Sequence, residues 1–113
     1  MNDASLQCVI DSLSLFGENS KAAIISQLDK EGISFTSEGF EVSKFCKVVN
    51  RFLGRWSDFI FLKIANDICE RSGVTLEELG LDRRAEHIEN SELLIEVFMN
   101  VEALQRNERR VRN

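Results

Sequence analysis

The chain has 113 residues, 43% hydrophobic and 29% charged, with no proline, no tyrosine and a formal net charge of −5. That length and balance specify one globular domain, able to bury roughly two thirds of its unfolded surface without staples, and exclude a disordered chain. The acidic excess repels phosphate backbones and works against a general coat on nucleic acid.

The first stretch, "DASLQCVIDSLSLFG", places Leu6, Val9, Ile10, Leu13 and Phe16 at helical spacing. Asp3 reads as its N-cap and Gly17 as its stop. The second, "ENSKAAIISQLDKEG", has Ala22, Ile24, Ile25 and Leu28 on its apolar side, a cap at Asn19 or Ser20, and Gly32 at its end. "ISFTSEG" is too short for an independent sheet and reads as a loop whose Phe35 plugs the core. In the third helical stretch, "FEVSKFCKVVNRFLG", Phe45, Val48, Val49 and Phe52 share one side and Gly54 stops it.

The fourth stretch, residues 57–71, has two apolar strips. Ile60, Phe61, Ile64 and Ile68 form one; Leu62, Ala65 and Cys69 form a second, roughly opposite, and Phe59 intrudes on the polar sector. A helix apolar on two sides must be covered on two sides. "TLEELG" carries a capping box, Thr75 with Glu78, and predicts a short helix from Leu76 to Leu79. The final stretch, about Asp82 to Gln105, places Ile88, Ile95 and Phe98 on one stripe, with Leu94, Val101 and Leu104 nearby. Asn90 and Ser91 mark a break between two helical pieces, or an irregularity in one.

These periods predict an all-α protein: a compact bundle of five to six helices with segment 57–71 as the central helix. Residues 1–105 form its single domain. Residues 106–113 form a flexible basic tail, in which Arg106, Arg109, Arg110 and Arg112 stand against Glu108. That tail carries net +3, so the other 105 residues carry −8. No secretory leader is read near Asp3, and no apolar run is long enough to span a bilayer. Three cysteines, an odd number, fit a reducing cytoplasm.

Cys8, Cys46, Cys69 and His87 are zinc-ligand types, but the gaps of 37, 22 and 17 residues contain no close pair. Each cysteine sits among apolar residues at helical spacing and reads as a buried small hydrophobe. No glycine-rich phosphate loop and no paired catalytic carboxylates stand out. The expectation is no enzyme, no metal and no cofactor.

"LFGENSKAAIISQLDKEGISF", "FCKVVNRFLG" and the isoleucine-rich helix after them resemble the archaeal Nitrosopumilus output domain of type five. The positions that carry the resemblance are Gly17, Lys21, Leu28, Gly32, Phe52, Gly54, Ile60, Ile64 and Ile68, within about Leu15 to Val74. The Phe-Leu-Gly spacing at Gly54 departs from the family pattern, and the stretch after Val74 lies outside it. The resemblance implies a signal-transduction output module and supplies no catalytic residues.

The expected function is a non-enzymatic protein-interaction or signalling adaptor domain. The final segment holds the one uncommitted apolar stripe, so Leu62, Ile88, Ile95, Phe98 and Val101 are the expected interaction residues. They would cover the second strip from the same chain or by exchange in a homodimer. The alternative is a small DNA-binding regulator using the arginine tail or the 41–53 helix, which carries Lys44, Lys47 and Arg51.

Overall fold

Apolar residues recur at helical spacing in five stretches, and five α-helices form among the described residues. The computed structural model describes residues 3–36, 39–83 and 86–112, with side chains from residue 4 to residue 104 within those ranges. Helix α1 spans Asp3–Leu13 and leads through a 3-10 turn, Ser14–Phe16, to Gly17. Helices α2, α3, α4 and α5 span Glu18–Lys30, Val42–Leu53, Trp56–Ser72 and Asn90–Arg112. No strand occurs among the described residues. The protein is an all-α bundle with α4 at its centre, packed against α1, α3 and α5. Its Cα radius of gyration is 14.0 Å, close to the roughly 13 Å expected of a compact chain this long.

The helix stops also serve the core. Gly73 closes α4 in the left-handed conformation, φ 69° and ψ 27°. Its N–H donates to Glu70 O at 3.2 Å, and Val74 N–H donates to Cys69 O at 3.0 Å, which satisfies two end carbonyls. The same pair of bonds closes α2 through Gly32 and Ile33, and the 76–79 turn through Gly80 and Leu81. The residue after each glycine is apolar. Ile33 and Leu81 are buried and Val74 is half-buried. Each stop therefore seats one apolar side chain against the helix it ends.

Gly54 makes the corner between α3 and α4. Its φ of 56° and ψ of −128° are reached at low cost only by glycine. A Cβ there would meet nothing within 4 Å, so the demand comes from the backbone and not from crowding. Ser57 locks the corner: its N–H donates to Gly54 O at 3.0 Å. Its Oγ lies 2.6 Å from Gly54 O and 2.9 Å from Asn50 Oδ1. One hydroxyl has one proton. Donation to Gly54 O, with the Asn50 amide turned so that its Nδ2 donates to Ser57 Oγ, satisfies both contacts.

The two strips of α4 prove to be one face. Ser57, Ile60, Phe61, Ile64, Ala65, Ile68 and Cys69 are all buried. At about 100° per residue they fill a continuous arc of about 180°. Leu62 lies just past its edge and is 38% exposed. Helix α1 flanks the other edge, where Arg71 Nη2 donates to Asp11 Oδ2 at 2.8 Å. Helix α5 is anchored on the Asp58, Ala65 and Cys69 edge, where Asn90 Nδ2 donates to Asp58 O at 3.1 Å.

Several local expectations need correction. Helix α2 starts at Glu18 directly after Gly17, with no side-chain cap, so Asn19 and Ser20 are not its cap. It packs chiefly on α3 and the 14–16 turn. Phe35 packs against the core but is only half-buried, and the fully seated plug is Phe40: it is buried and its ring centroid lies 5.3, 5.4 and 6.2 Å from those of Phe35, Phe45 and Phe98. Residues 76–80 form a turn, although Thr75 Oγ1 accepts from Glu78 N–H at 3.1 Å as a capping box would. One hydrogen-bonded turn cannot offset helix nucleation. In α5 the core stripe is Leu93, Leu94, Val97, Phe98 and Val101, and Ile95 stands at its margin. The Asp3 cap and the basic residues of the 106–113 tail lie outside the described side chains. The backbone of α5 continues through Arg112.

In urea denaturation, Ile64→Ala should lose about 2–5 kcal/mol and Phe98→Ala about 3–5 kcal/mol, while Leu62→Ala loses less than about 1 kcal/mol. Equal losses for Ile64 and Leu62 would restore the two-sided helix. Gly54→Ala should cost about 1–3 kcal/mol through backbone strain alone; an unchanged midpoint would mean the corner relaxes freely.

Candidate functional site

The buried half-cylinder of α4 leaves an outer half, and its N-terminal end is unusual. Trp56 is 65% exposed and Phe59 is 57% exposed. At about 100° per residue both fall on the outer side with Lys63, and Leu62 follows toward the next edge. Phe52, at the end of α3 before the Gly54 corner, is 47% exposed although the sequence places it on the core stripe. Isolated exposed apolar residues are ordinary, and several large ones close together at one end of a helix are a candidate contact surface. Tryptophan and phenylalanine are also the types that supply most binding energy at interfaces.

The charges along the chain leading into this corner are one-sided, with Asp58 following in the first turn of α4. Between Val42 and Ser57 the chain has Lys44, Lys47, Arg51 and Arg55 and no carboxylate. Ser43, Lys44, Lys47, Asn50 and Arg51 form the exposed side of α3. Lys44 pairs with Glu41 at 3.2 Å and Arg51 with Glu31 at 2.9 Å. The Arg51 hydrogen bonds are the main reason the Glu31 carboxyl sits below its ordinary pKa. Neither Lys47 nor Arg55 has an ion-pair partner among the described residues. Lys63 is paired with Asp67 at 2.7 Å. The positive end of the α4 dipole adds to the field at the corner.

Arg55 and Lys47 also line an open cleft of about 690 Å³ between α3, the start of α4 and the start of α5. Asn50, Asp58, Glu89 and three serines, Ser43, Ser57 and Ser91, supply its other polar groups, and Cys46, Phe61 and Ile95 its apolar ones. The cleft resembles a nucleophilic site only by holding a thiol. Cys46 is 6% exposed, and burial pushes its pKa from 9.0 up to about 12. A neutral thiol is a poor nucleophile and a poor metal ligand. Burial also raises Cys8 and Cys69, with the Arg71 guanidinium opposing the rise in Cys8. All three cysteines are unbridged. Among the described residues no cluster of His, Cys, Asp and Glu is placed to hold a metal ion. His87 is exposed.

The expected interaction residues are dispersed. Phe98 and Val101 lie in the core of their own chain at 5% and 2% exposure. Ile95 is half-buried on the lip of the cleft, and Ile88 is half-buried in the α4–α5 connection. Leu62 alone borders the aromatic corner. Arg106, Arg109, Arg110 and Arg112 have side chains outside the described residues. Sequence reasoning passed over Trp56 and Arg55, and it assigned the exposed Phe52 to the core stripe. One signal was present: Phe59 breaks the polar sector of the helix, and winding back one turn puts Trp56 beside it. No described helix is long and apolar enough to cross a membrane. No family model, curated protein or solved structure matches the chain.

The Cys46 shift has a sign that can be checked. The unfolded chain releases the thiol proton near 9.0, whereas the folded chain holds it to about 12. The associated stability is complete below 9.0 and is lost as pH rises through that window. The urea midpoint of the wild type should therefore fall on alkalinisation more steeply than that of Cys46→Ala. Parallel slopes would show that Cys46 meets water in solution.

Proposed function

We propose that this protein is a non-enzymatic interaction domain that binds another protein through the outer N-terminal end of α4. One observation carries the reading: Trp56 and Phe59 stand in water side by side, each more than half exposed, at the rigid corner made by Gly54 and Ser57. Covering each ring would contribute about 1–2 kcal/mol from apolar area alone. Helix α4 is held by three neighbours, so the two rings are presented on a preorganised support, which lowers the entropy cost of binding. An adaptor role in signalling is supported by the resemblance of Leu15 to Val74 to an output domain. Self-association belongs to the same reading, with the corner or the Ile95 lip of α5 as the contact.

A photoreactive amino acid at position 59 should yield a discrete protein adduct in cells that make the protein, and one at position 70, exposed further along α4, should not. Equal labelling from both positions, or none from 59, would remove the basis of the reading.

The exposed side of α3 supports a second reading, a nucleic-acid contact through Lys44, Lys47, Asn50 and Arg51. Glu41 and Glu31 oppose it by pairing with two of these cations. Anisotropy with labelled duplex DNA should show no salt-sensitive binding that Lys47→Glu abolishes. Such binding would favour the second reading over the first.

A further inference from the structure

We infer that the cleft between α3, the start of α4 and the start of α5 binds a small zwitterion, an amino acid or short peptide with free termini. Its carboxylate pairs with Lys47 and Arg55, and its ammonium pairs with Asp58 and Glu89. Asp58 is about 160° around α4 from Trp56 at the standard winding, so this site is separate from the aromatic corner and goes beyond the interaction reading. Two cations and two carboxylates border the one cleft. None of the four is in an ion pair among the described residues. Opposite charges that share a cleft without meeting are left to water, and a ligand carrying both signs satisfies them together. A plain anion meets Asp58 and Glu89, and a plain cation meets Lys47 and Arg55. The balance therefore selects a ligand of zero net charge.

The two signs come from different walls. Lys47 stands on α3, and Arg55 follows the Gly54 corner at the end of that helix. Glu89 immediately precedes α5. Asn90 Nδ2 donates to Asp58 O at 3.1 Å, which holds the start of α5, and Glu89 with it, near Asp58. The cations thus belong to α3 and the α3–α4 corner, and the carboxylates to the α4–α5 junction. A ligand lying between the walls meets one sign at each end.

The space between the walls fits such a molecule. The cleft's volume of about 690 Å³ falls within the roughly 300–1,000 Å³ of small-molecule sites. Cys46, Phe61 and Ile95 give it an apolar lining. Ser43 and Ile95 also border an adjoining groove of about 390 Å³, lined further by Phe98 and Met99. An aliphatic side chain therefore has an apolar path away from the charged groups. The floor is fixed before the ligand arrives: Ser57 is buried, and its hydroxyl is held by Gly54 O and the Asn50 side chain. That preorganisation lowers the entropy cost of binding.

The test is an NMR titration of the isotope-labelled full-length protein with leucine and with alanyl-leucine at millimolar concentration. Saturable shifts should gather on amides that border the cleft, such as Lys47, Ser57 and Ser91, and leave Gln27 and Glu70 unmoved. Tighter binding of leucine would assign the site to free amino acids, and tighter binding of alanyl-leucine to short peptides; either supports the inference. Acetylating the amine of the peptide, or amidating its carboxylate, should each weaken binding by about fivefold. Glu89→Gln should remove most of the preference for the free amine and keep that for the free carboxylate; Lys47→Gln should do the reverse. Circular dichroism melts of both variants should match the wild type, because both side chains are exposed. The inference fails if neither zwitterion gives saturable shifts, if the blocked peptides bind as well as the free one, or if the variants keep both wild-type preferences. It also fails if acetate or methylammonium alone binds as tightly as the zwitterions. Each of these failures leaves the interaction reading standing, since neither Trp56 nor Phe59 borders the cleft.

Discussion

The burial of one half of α4 governs the rest of the molecule. Ser57, Ile60, Phe61, Ile64, Ala65, Ile68 and Cys69 present a continuous apolar arc that one neighbour cannot cover. A helix packs on another over a narrow stripe, with axes about 8–10 Å apart. An arc of about 180° therefore takes several neighbours. The chain supplies α1 along one edge, α5 along the other and α3 as the third neighbour. Helix α2, with only Ile24 and Leu28 fully buried, is left to cover α3 and the 14–16 turn. Phe40 joins the ends of this arrangement, touching both Phe45 on α3 and Phe98 on α5.

The same constraint creates the exposed corner. A helix buried over half its circumference has another half that must meet solvent or a partner. Along most of α4 that half is polar: Asn66 and Glu70 are exposed, and Lys63 pairs with Asp67. At the N-terminal end it carries Trp56 and Phe59. The corner cannot swing these rings inward. Gly54 sets the backbone direction, and Ser57 fastens the first turn of α4 to Gly54. Exposure of the rings is thus a consequence of where the helix starts and which way its other side must face. Cation placement adds chemical character, since the corner ends the one stretch of an acidic body where four bases occur without an acid.

The three thiols show the opposite outcome. Their types suggested chemistry, and their surroundings remove it. Each sits in the apolar interior on a helix, where the thiolate loses its hydration and the proton is retained. Even Cys46, which borders the cleft, is raised furthest toward the neutral form. These cysteines contribute volume to the core in the way that valine or alanine does at neighbouring positions.

Much of this architecture was legible in the sequence, because helical spacing and glycine stops are local signals. The all-α class, the centrality of residues 57–71, and the stops at Gly32 and Gly54 all follow from periodicity over a few turns. The choice between one face and two on α4 did not, since Leu62 and Ala65 have similar apolarity and differ only in which neighbour reaches them. Phe35 and Phe40 were interchangeable as plugs for the same reason: both lie in the α2–α3 connection, and three-dimensional distance to Phe45 and Phe98 decided between them. Phe52 and Phe98 show the limit most clearly. Each lies on a helical apolar stripe, yet one faces water and the other the core. Sequence alone determined most of the segments that coil, though not the 76–79 turn or the late start of α5, and where α2 and α3 stop, because those depend on contacts within four residues. Tertiary structure decided which apolar side chains are spent on the fold and which remain exposed, because burial depends on residues far away in the chain.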